Sequence, residues 1–202
     1  MPRENHSLIV TILDRSGSME TIKADAIGGF NSFIGSQKEL DGTADATLVL
    51  FDDQYELLFD TIPLNKVRNL TTKTFVPRGS TALFDAIGKT IDDLGDKLAD
   101  MNESDRPEKV IIAILTDGEE NSSSEYSQKQ IKRMIKHQSE KYSWEFLFLA
   151  ANQDAFSSAE TIGISRDFAV QFDANEAGTE LAFCAMAERV SDMRAPSFRK
   201  AK

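Results

Sequence analysis

Cysteine, histidine and long apolar runs are all scarce in this 202-residue chain. Its single cysteine, Cys184, excludes an internal disulfide framework and any multi-cysteine zinc site. Two histidines, His6 and His137, leave little for imidazole chemistry. His6 is expected just ahead of the first strand and His137 late on a helix, both exposed or structural. Cys184 is expected in the core, within the last helix. No apolar run approaches the roughly 18 residues that suggest a membrane span. The first apolar stretch, residues 8–13, is too short for the core of a secretory leader, so the expected setting is the cytoplasm. Basic charge is in deficit: 23 Lys and Arg stand against 33 Asp and Glu, a net charge of −10. An acidic body repels phosphate backbones, which argues against nucleic-acid binding. Neither a G-x-S-x-G elbow nor a G-x-x-x-x-G-K-[ST] phosphate loop occurs. An EF-hand loop beginning at Asp14 fails as well, because Met19 and Asp25 stand where Gly and Glu are required.

What remains is an ordinary globular composition, 41% hydrophobic and 28% charged, at a length that suits one domain. Four short apolar runs without alternation read as strands buried on both faces: residues 8–13 (LIVTIL), 46–51 (ATLVLF), 110–115 (VIIAIL) and 146–150 (FLFLA). Residues 55–59 follow Asp52, Asp53 and Gln54 as the return strand of a hairpin, and residues 168–172 form a shorter candidate. Apolar stripes at three- and four-residue steps mark helices between them. One runs through Ile22, Ala26, Phe30, Phe33 and Ile34. A second runs through Leu83, Ile87, Ile91, Leu94 and Leu98. Ile131, Met134 and Ile135 mark a third, and Phe183, Met186, Ala187, Val190 and Met193 a fourth. Gly28 and Gly29 interrupt the first helix, with close helix–strand packing as the expected compensation. Strands alternating with helices predict an α/β fold. It is a doubly wound, mostly parallel sheet of about six strands, with one antiparallel edge strand and helices on both faces. Residues 1–193 form one domain, followed by a basic tail, residues 194–202, that carries Arg194, Arg199, Lys200 and Lys202.

In such sheets, ligands bind beyond the carboxyl ends of the strands. Residue types there are short and oxygen-bearing in three separate segments. The first strand runs into Asp14-Arg15-Ser16-Gly17-Ser18. The second helix is preceded by Arg78-Gly79-Ser80-Thr81. The strand at 110–115 runs into Thr116-Asp117-Gly118-Glu119-Glu120. Helix capping and turn formation account for any one segment alone. The three together argue for a hard cation, since Ser16, Ser18 and Thr81 offer neutral hydroxyl oxygens of the kind Mg²⁺ accepts. Asp52, Asp53, Glu119, Glu120 and the Asn152-Gln153-Asp154 segment either solvate loops or form a binding rim.

This constellation resembles the von Willebrand factor type A domain with its metal-ion-dependent adhesion site. The family pattern is Asp-x-Ser-x-Ser, a distant Thr and a distant Asp. Asp14, Ser16 and Ser18 match the first part, Thr81 in GSTAL the second, and Asp117 in ILTDGEE the third. The phrase ILDRSGSM is especially similar to bacterial and phage members. The resemblance spans residues 7–190. It implies a non-enzymatic protein-binding domain in a regulatory or scaffolding role. It also implies a bound Mg²⁺, or Mn²⁺ or Ca²⁺, with Asp14 and Asp117 acting mainly through water. The expected partner is a protein that supplies an Asp or Glu carboxylate, set among basic residues to suit the acidic rim, with no nucleic acid or membrane. The alternative is a Mg²⁺-dependent phosphohydrolase using the same carboxylates; a haloacid dehalogenase-type phosphatase, the nearest enzymatic look-alike, would need an aspartate acid/base where Ser16 stands and a catalytic lysine that does not follow.

Overall fold

A computed structural model describes residues 1–151 and 154–195. Six strands form one sheet: β1 (Arg3–Asp14), β2 (Thr43–Phe51), β3 (Tyr55–Pro63), β4 (Pro107–Thr116), β5 (Glu145–Ala151) and β6 (Ala169–Phe172). Their order is β3-β2-β1-β4-β5-β6. Only β3 runs antiparallel, paired with β2 through the hairpin. Five helices cover the faces: α1 (Lys23–Lys38), α2 (Leu83–Asp100), α3 (Gln128–Tyr142), α4 (Ala155–Thr161) and α5 (Glu176–Arg194).

The unbroken apolar runs divide by residue parity, because successive strand side chains point to opposite faces. Ile9, Leu13, Leu48, Leu50, Ile111 and Leu115 pack against Phe30 and Phe33 of α1 and Phe183, Met186 and Val190 of α5. Leu8, Val10, Ile12, Val49, Ile112 and Ile114 pack against Ile87 and Ile91 of α2 and Ile131 and Ile135 of α3. Residues 64–82 are irregular, yet Leu64, Val67, Leu70 and Phe75 anchor them in the α1 layer. Asn31 holds this segment by a two-way bond, its side chain donating to the Leu70 carbonyl and accepting from the Leu70 amide. None of the described helices is long and apolar enough to cross a membrane.

Four local expectations change. Cys184 is exposed, because it is one step off the Phe183–Met186–Val190 stripe and turns outward on α5. Gly29 is compensated by a helix, not a strand: a Cβ there would collide with the Phe183 ring of α5, while Gly28 faces open space. His6 lies inside β1 and is buried, whereas His137 is exposed. The short helix α4 was not anticipated, since it buries only two small residues, Ala155 and Ala159. In the tail, Arg194 completes α5 and donates to the Gln37 carbonyl. Arg199, Lys200 and Lys202 lie outside the described residues, as do Asn152 and Gln153.

Candidate metal centre

β1 and β4 are parallel neighbours, with Leu13 opposite Leu115. Strand order therefore carries Asp14 and Asp117 to the same carboxyl-end edge. After Asp14 the chain leaves the sheet and enters a 3₁₀ turn, Gly17–Ile22, that leads into α1. Gly17 donates its amide to the Gly79 carbonyl at 3.2 Å, and Arg78 donates to the Arg15 carbonyl at 2.9 Å. These two bonds lay the segment ending in Thr81 alongside the Asp14–Ser18 loop.

All five predicted residues gather here. Asp14 is 0% exposed. One carboxylate oxygen accepts from the Ser16 amide at 2.6 Å, and the other accepts from the Thr116 hydroxyl at 2.5 Å. Burial pushes its pKa up to about 6, against the pull of those hydrogen bonds, and the nearby Asp117 adds to the rise. Asp117 is also raised, first by burial, with the Ser18 hydrogen bond opposing. The Ser16 and Ser18 hydroxyls are 3.1 Å apart, and Ser18 donates to Asp117 at 2.7 Å. Thr81 is 3% exposed. Its hydroxyl forms no hydrogen bond among the described residues.

Gly118 shows where these hydroxyls converge. A Cβ at this position would lie 3.0 Å from Thr81 Oγ1 and 3.6 Å from Ser18 Oγ. Two groups absent from the expected set thus shape the site. Gly118 leaves room beside Thr81 and Ser18. Thr116 donates its hydroxyl proton to Asp14 and accepts from the Gly118 amide at 3.2 Å. Both sit beside Asp117 in the sequence, but an apolar strand end followed by Thr-Asp-Gly reads equally well as an ordinary turn.

The loop after β4 is bound to the start of α2. Thr81 and Asn121 pair twice, Thr81 donating its amide to Asn121 Oδ1 at 2.9 Å and accepting from the Asn121 amide at 3.1 Å. Helix α2 has no side-chain cap of its own at Ala82. Instead Glu120 accepts from the Phe84 amide at 2.9 Å and Ser123 from the Asp85 amide at 3.1 Å. Asp85 in turn accepts from the amides of Ser124, Glu125 and Tyr126. Glu120 thus caps the helix while also lining the cleft at the site. Glu119 and Asp154 are exposed and line a cleft of about 790 Å³ that also includes Thr116 and Gly118.

The donor set suits a hard divalent ion. It offers three hydroxyls and two carboxylates within one edge, all oxygen, which is the chemistry Mg²⁺, Mn²⁺ and Ca²⁺ share. Among the described residues no three His, Cys, Asp or Glu converge as a metal cluster.

No protein-family model and no curated protein matches the sequence. Solved structures do. The von Willebrand factor domain of the type V pili tip protein Mfa5 from Porphyromonas gingivalis is similar over 97% of this chain and 98% of its own, with a TM-score of 0.66 at 10% identity. Proximal thread matrix protein 1 from the mussel byssus, in a structure with a zinc-occupied metal-ion-dependent adhesion motif, is similar over 92% of this chain (TM-score 0.63, 14% identity). The ArnB paralog VWA2 from Sulfolobus acidocaldarius is similar over 87% (TM-score 0.54, 18% identity). The chain spans 46% of the mussel chain and 44% of the Sulfolobus chain, about half of each. Its six strands in this order, flanked by helices, have the fold of a von Willebrand factor type A domain.

Proposed function

We propose that this domain binds a divalent cation through Asp14, Ser16, Ser18, Thr81 and Asp117, and uses it to capture an Asp or Glu side chain of a protein partner. The observation that carries this reading is the convergence of the Thr81 and Ser18 hydroxyls on the space beside Gly118, where a Cβ would lie 3.0 and 3.6 Å from them. Mg²⁺ or Mn²⁺ is the proposed ion, with Ca²⁺ as a further candidate. When bound, the cation supplies a positive centre for a carboxylate oxygen.

The chain's own groups fit binding better than turnover. Each Asp14 oxygen already accepts a hydrogen bond, which fixes the carboxylate against the Ser16 loop and the end of β4. The exposed acids Asp53, Glu119 and Asp154 favour a partner whose carboxylate stands among Lys or Arg. We assign the domain a regulatory or scaffolding role. An exposed free thiol at Cys184 suits a reducing compartment and supports placing it in the cytoplasm.

The test immobilises the chain with Mn²⁺ and offers two short peptides that share Lys and Arg flanks and differ only by a central Glu or Gln. The Glu peptide is retained, chelator releases it, and Asp14→Ala does not retain it. Equal retention of the Gln peptide, or retention that survives chelation, overturns the reading.

A further inference from the structure

We infer that Asp52 is a positioning residue of the metal centre, acting on it through Arg15 and Arg78. The inference rests on the metal-binding reading above. Asp52 sits in the turn after β2 and is 0% exposed. Ordinary hairpin-turn acids are solvated, so complete burial requires an explanation.

Its contacts supply one. A single carboxylate oxygen, Oδ2, accepts from Arg15 Nε at 2.9 Å and from Arg78 Nε at 2.8 Å. The other, Oδ1, accepts from the Gln54 amide at 2.7 Å. The Asp52 carbonyl accepts from the Ala82 amide at 2.9 Å. One residue thus touches both loops of the site. Arg15 lies between Asp14 and Ser16, and Ala82 directly follows Thr81. Arg78 spans the gap, with its amide on the Arg15 carbonyl and its guanidinium on Asp52 and Gln54.

Charge gives Asp52 a second effect. Arg15 is buried, donates to Glu56 at 2.6 Å and keeps Nη2 without a partner. Its positive charge stands one residue from two proposed ligands. Asp52 offsets both guanidiniums. Burial alone would raise its pKa, yet Arg78, the Gln54 amide and Arg15 outweigh that and hold it below the usual carboxylate range. Without this carboxylate, Arg15 would keep only Glu56 as a counter-charge and Arg78 would lose its ion pair, so less of their positive charge would be offset before an incoming divalent ion.

Gly79 completes the arrangement. Its φ of +66° is a left-handed conformation that favours glycine, and a Cβ there would strike the Asp53 side chain. The loop can therefore pass close over the hairpin turn on its way to Thr81.

The experiment titrates Mn²⁺ calorimetrically into the wild type, Asp52→Asn and Arg78→Lys, and measures each melting temperature in chelator. Asp52→Asn removes the charge. Arg78→Lys keeps the charge and loses the fork, on a side chain that is half exposed, so the fold stands. Partners of metal ligands typically contribute about tenfold or more in affinity. We expect Asp52→Asn to weaken Mn²⁺ binding about tenfold and Arg78→Lys about threefold, with native circular dichroism in both. Ile135→Val, in the core under α3, is the stability control and keeps the wild-type affinity. Wild-type Mn²⁺ affinity in folded Asp52→Asn and Arg78→Lys overturns the inference while leaving the metal reading intact. If Asp52→Asn does not fold, the Arg78→Lys titration decides. A wild type that takes up no Mn²⁺ overturns both.

Discussion

The two ends of β1 bury polar side chains in opposite ways. At the start, His6 places Nδ1 2.8 Å from Thr43 Oγ1 and Nε2 3.0 Å from Asp45 Oδ2. Asp45 is an acceptor, so Nε2 donates to it, and the Thr43 hydroxyl pairs with Nδ1. Every donor there meets an acceptor, and β1 is tied to β2. At the finish, Asp14, Asp117, Ser16, Ser18 and Thr81 gather two carboxylates and three hydroxyls, and Asp14 takes its hydrogen bonds from the Ser16 amide and the Thr116 hydroxyl. The closed set contributes to fold stability. The open set costs stability, because burying the Asp14 carboxylate is expensive. Asp14 registers that cost as a pKa of about 6.

The largest expected effect breaks the comparison at the open end. In chelator, the folded Asp14 carboxyl holds its proton more tightly than the unfolded one, about 6 against 3.8. Between those values the native state binds more protons, so stability falls as pH rises. The loss across pH 4 to 7 is about 3 kcal/mol, at 1.36 kcal/mol per pKa unit. Urea melts at several pH values measure it, and Asp14→Asn flattens the slope. A metal-free stability that rises through this window contradicts the burial argument.

At the closed end, His6→Ala leaves Asp45 and Thr43 without their shared partner. The expected loss is about 2 kcal/mol, within the usual range for a disrupted buried hydrogen-bond pair. The Mn²⁺-induced shift in melting temperature stays at the wild-type value. A changed metal response would show that the two ends are coupled, against the contrast drawn here.

The smallest expected effect is at Thr81. Thr81→Ala removes a hydroxyl that has no hydrogen-bond partner among the described residues. Stability in chelator changes by about 1 kcal/mol at most, as for a helix-flanking position. Mn²⁺ affinity falls severalfold, since Ser16, Ser18 and both aspartates remain. Retention of the Glu peptide falls further than metal affinity, because Thr81 is joined through Asn121 to the loop that lines the cleft. Peptide retention equal to the wild type would make Thr81 a structural residue and not a ligand.

The sheet was legible because parallel strands buried on both faces leave unbroken apolar runs, and four such runs fixed the central strands. Helices with large apolar stripes were equally plain. Helix α4 was not, since Ala155 and Ala159 carry too little apolar surface to show a period. At the site, the ligand types were readable from Asp14-Arg15-Ser16-Gly17-Ser18 and Thr116-Asp117-Gly118. The residues that hold them were not. Asp52 reads as a solvated turn acid until the fold brings Arg15 and Arg78 onto it from positions 37 and 26 residues away. Glu120 reads as surface charge until Phe84 donates to it across the gap between loops. Such roles depend on long-range pairing, which local sequence patterns do not encode.

The central claim is that the open end of β1 is a cation site. Calorimetric titration of Mn²⁺ into the wild type, Asp14→Ala and Asp117→Ala tests it most directly. A cation present at about one hundred times its Kd should add about 2.7 kcal/mol to wild-type stability, which a parallel melt checks. The account predicts one ion per wild-type chain, with binding abolished in Asp14→Ala and strongly reduced in Asp117→Ala while both remain folded. Absence of binding to the wild type, or undiminished binding to both variants, contradicts it.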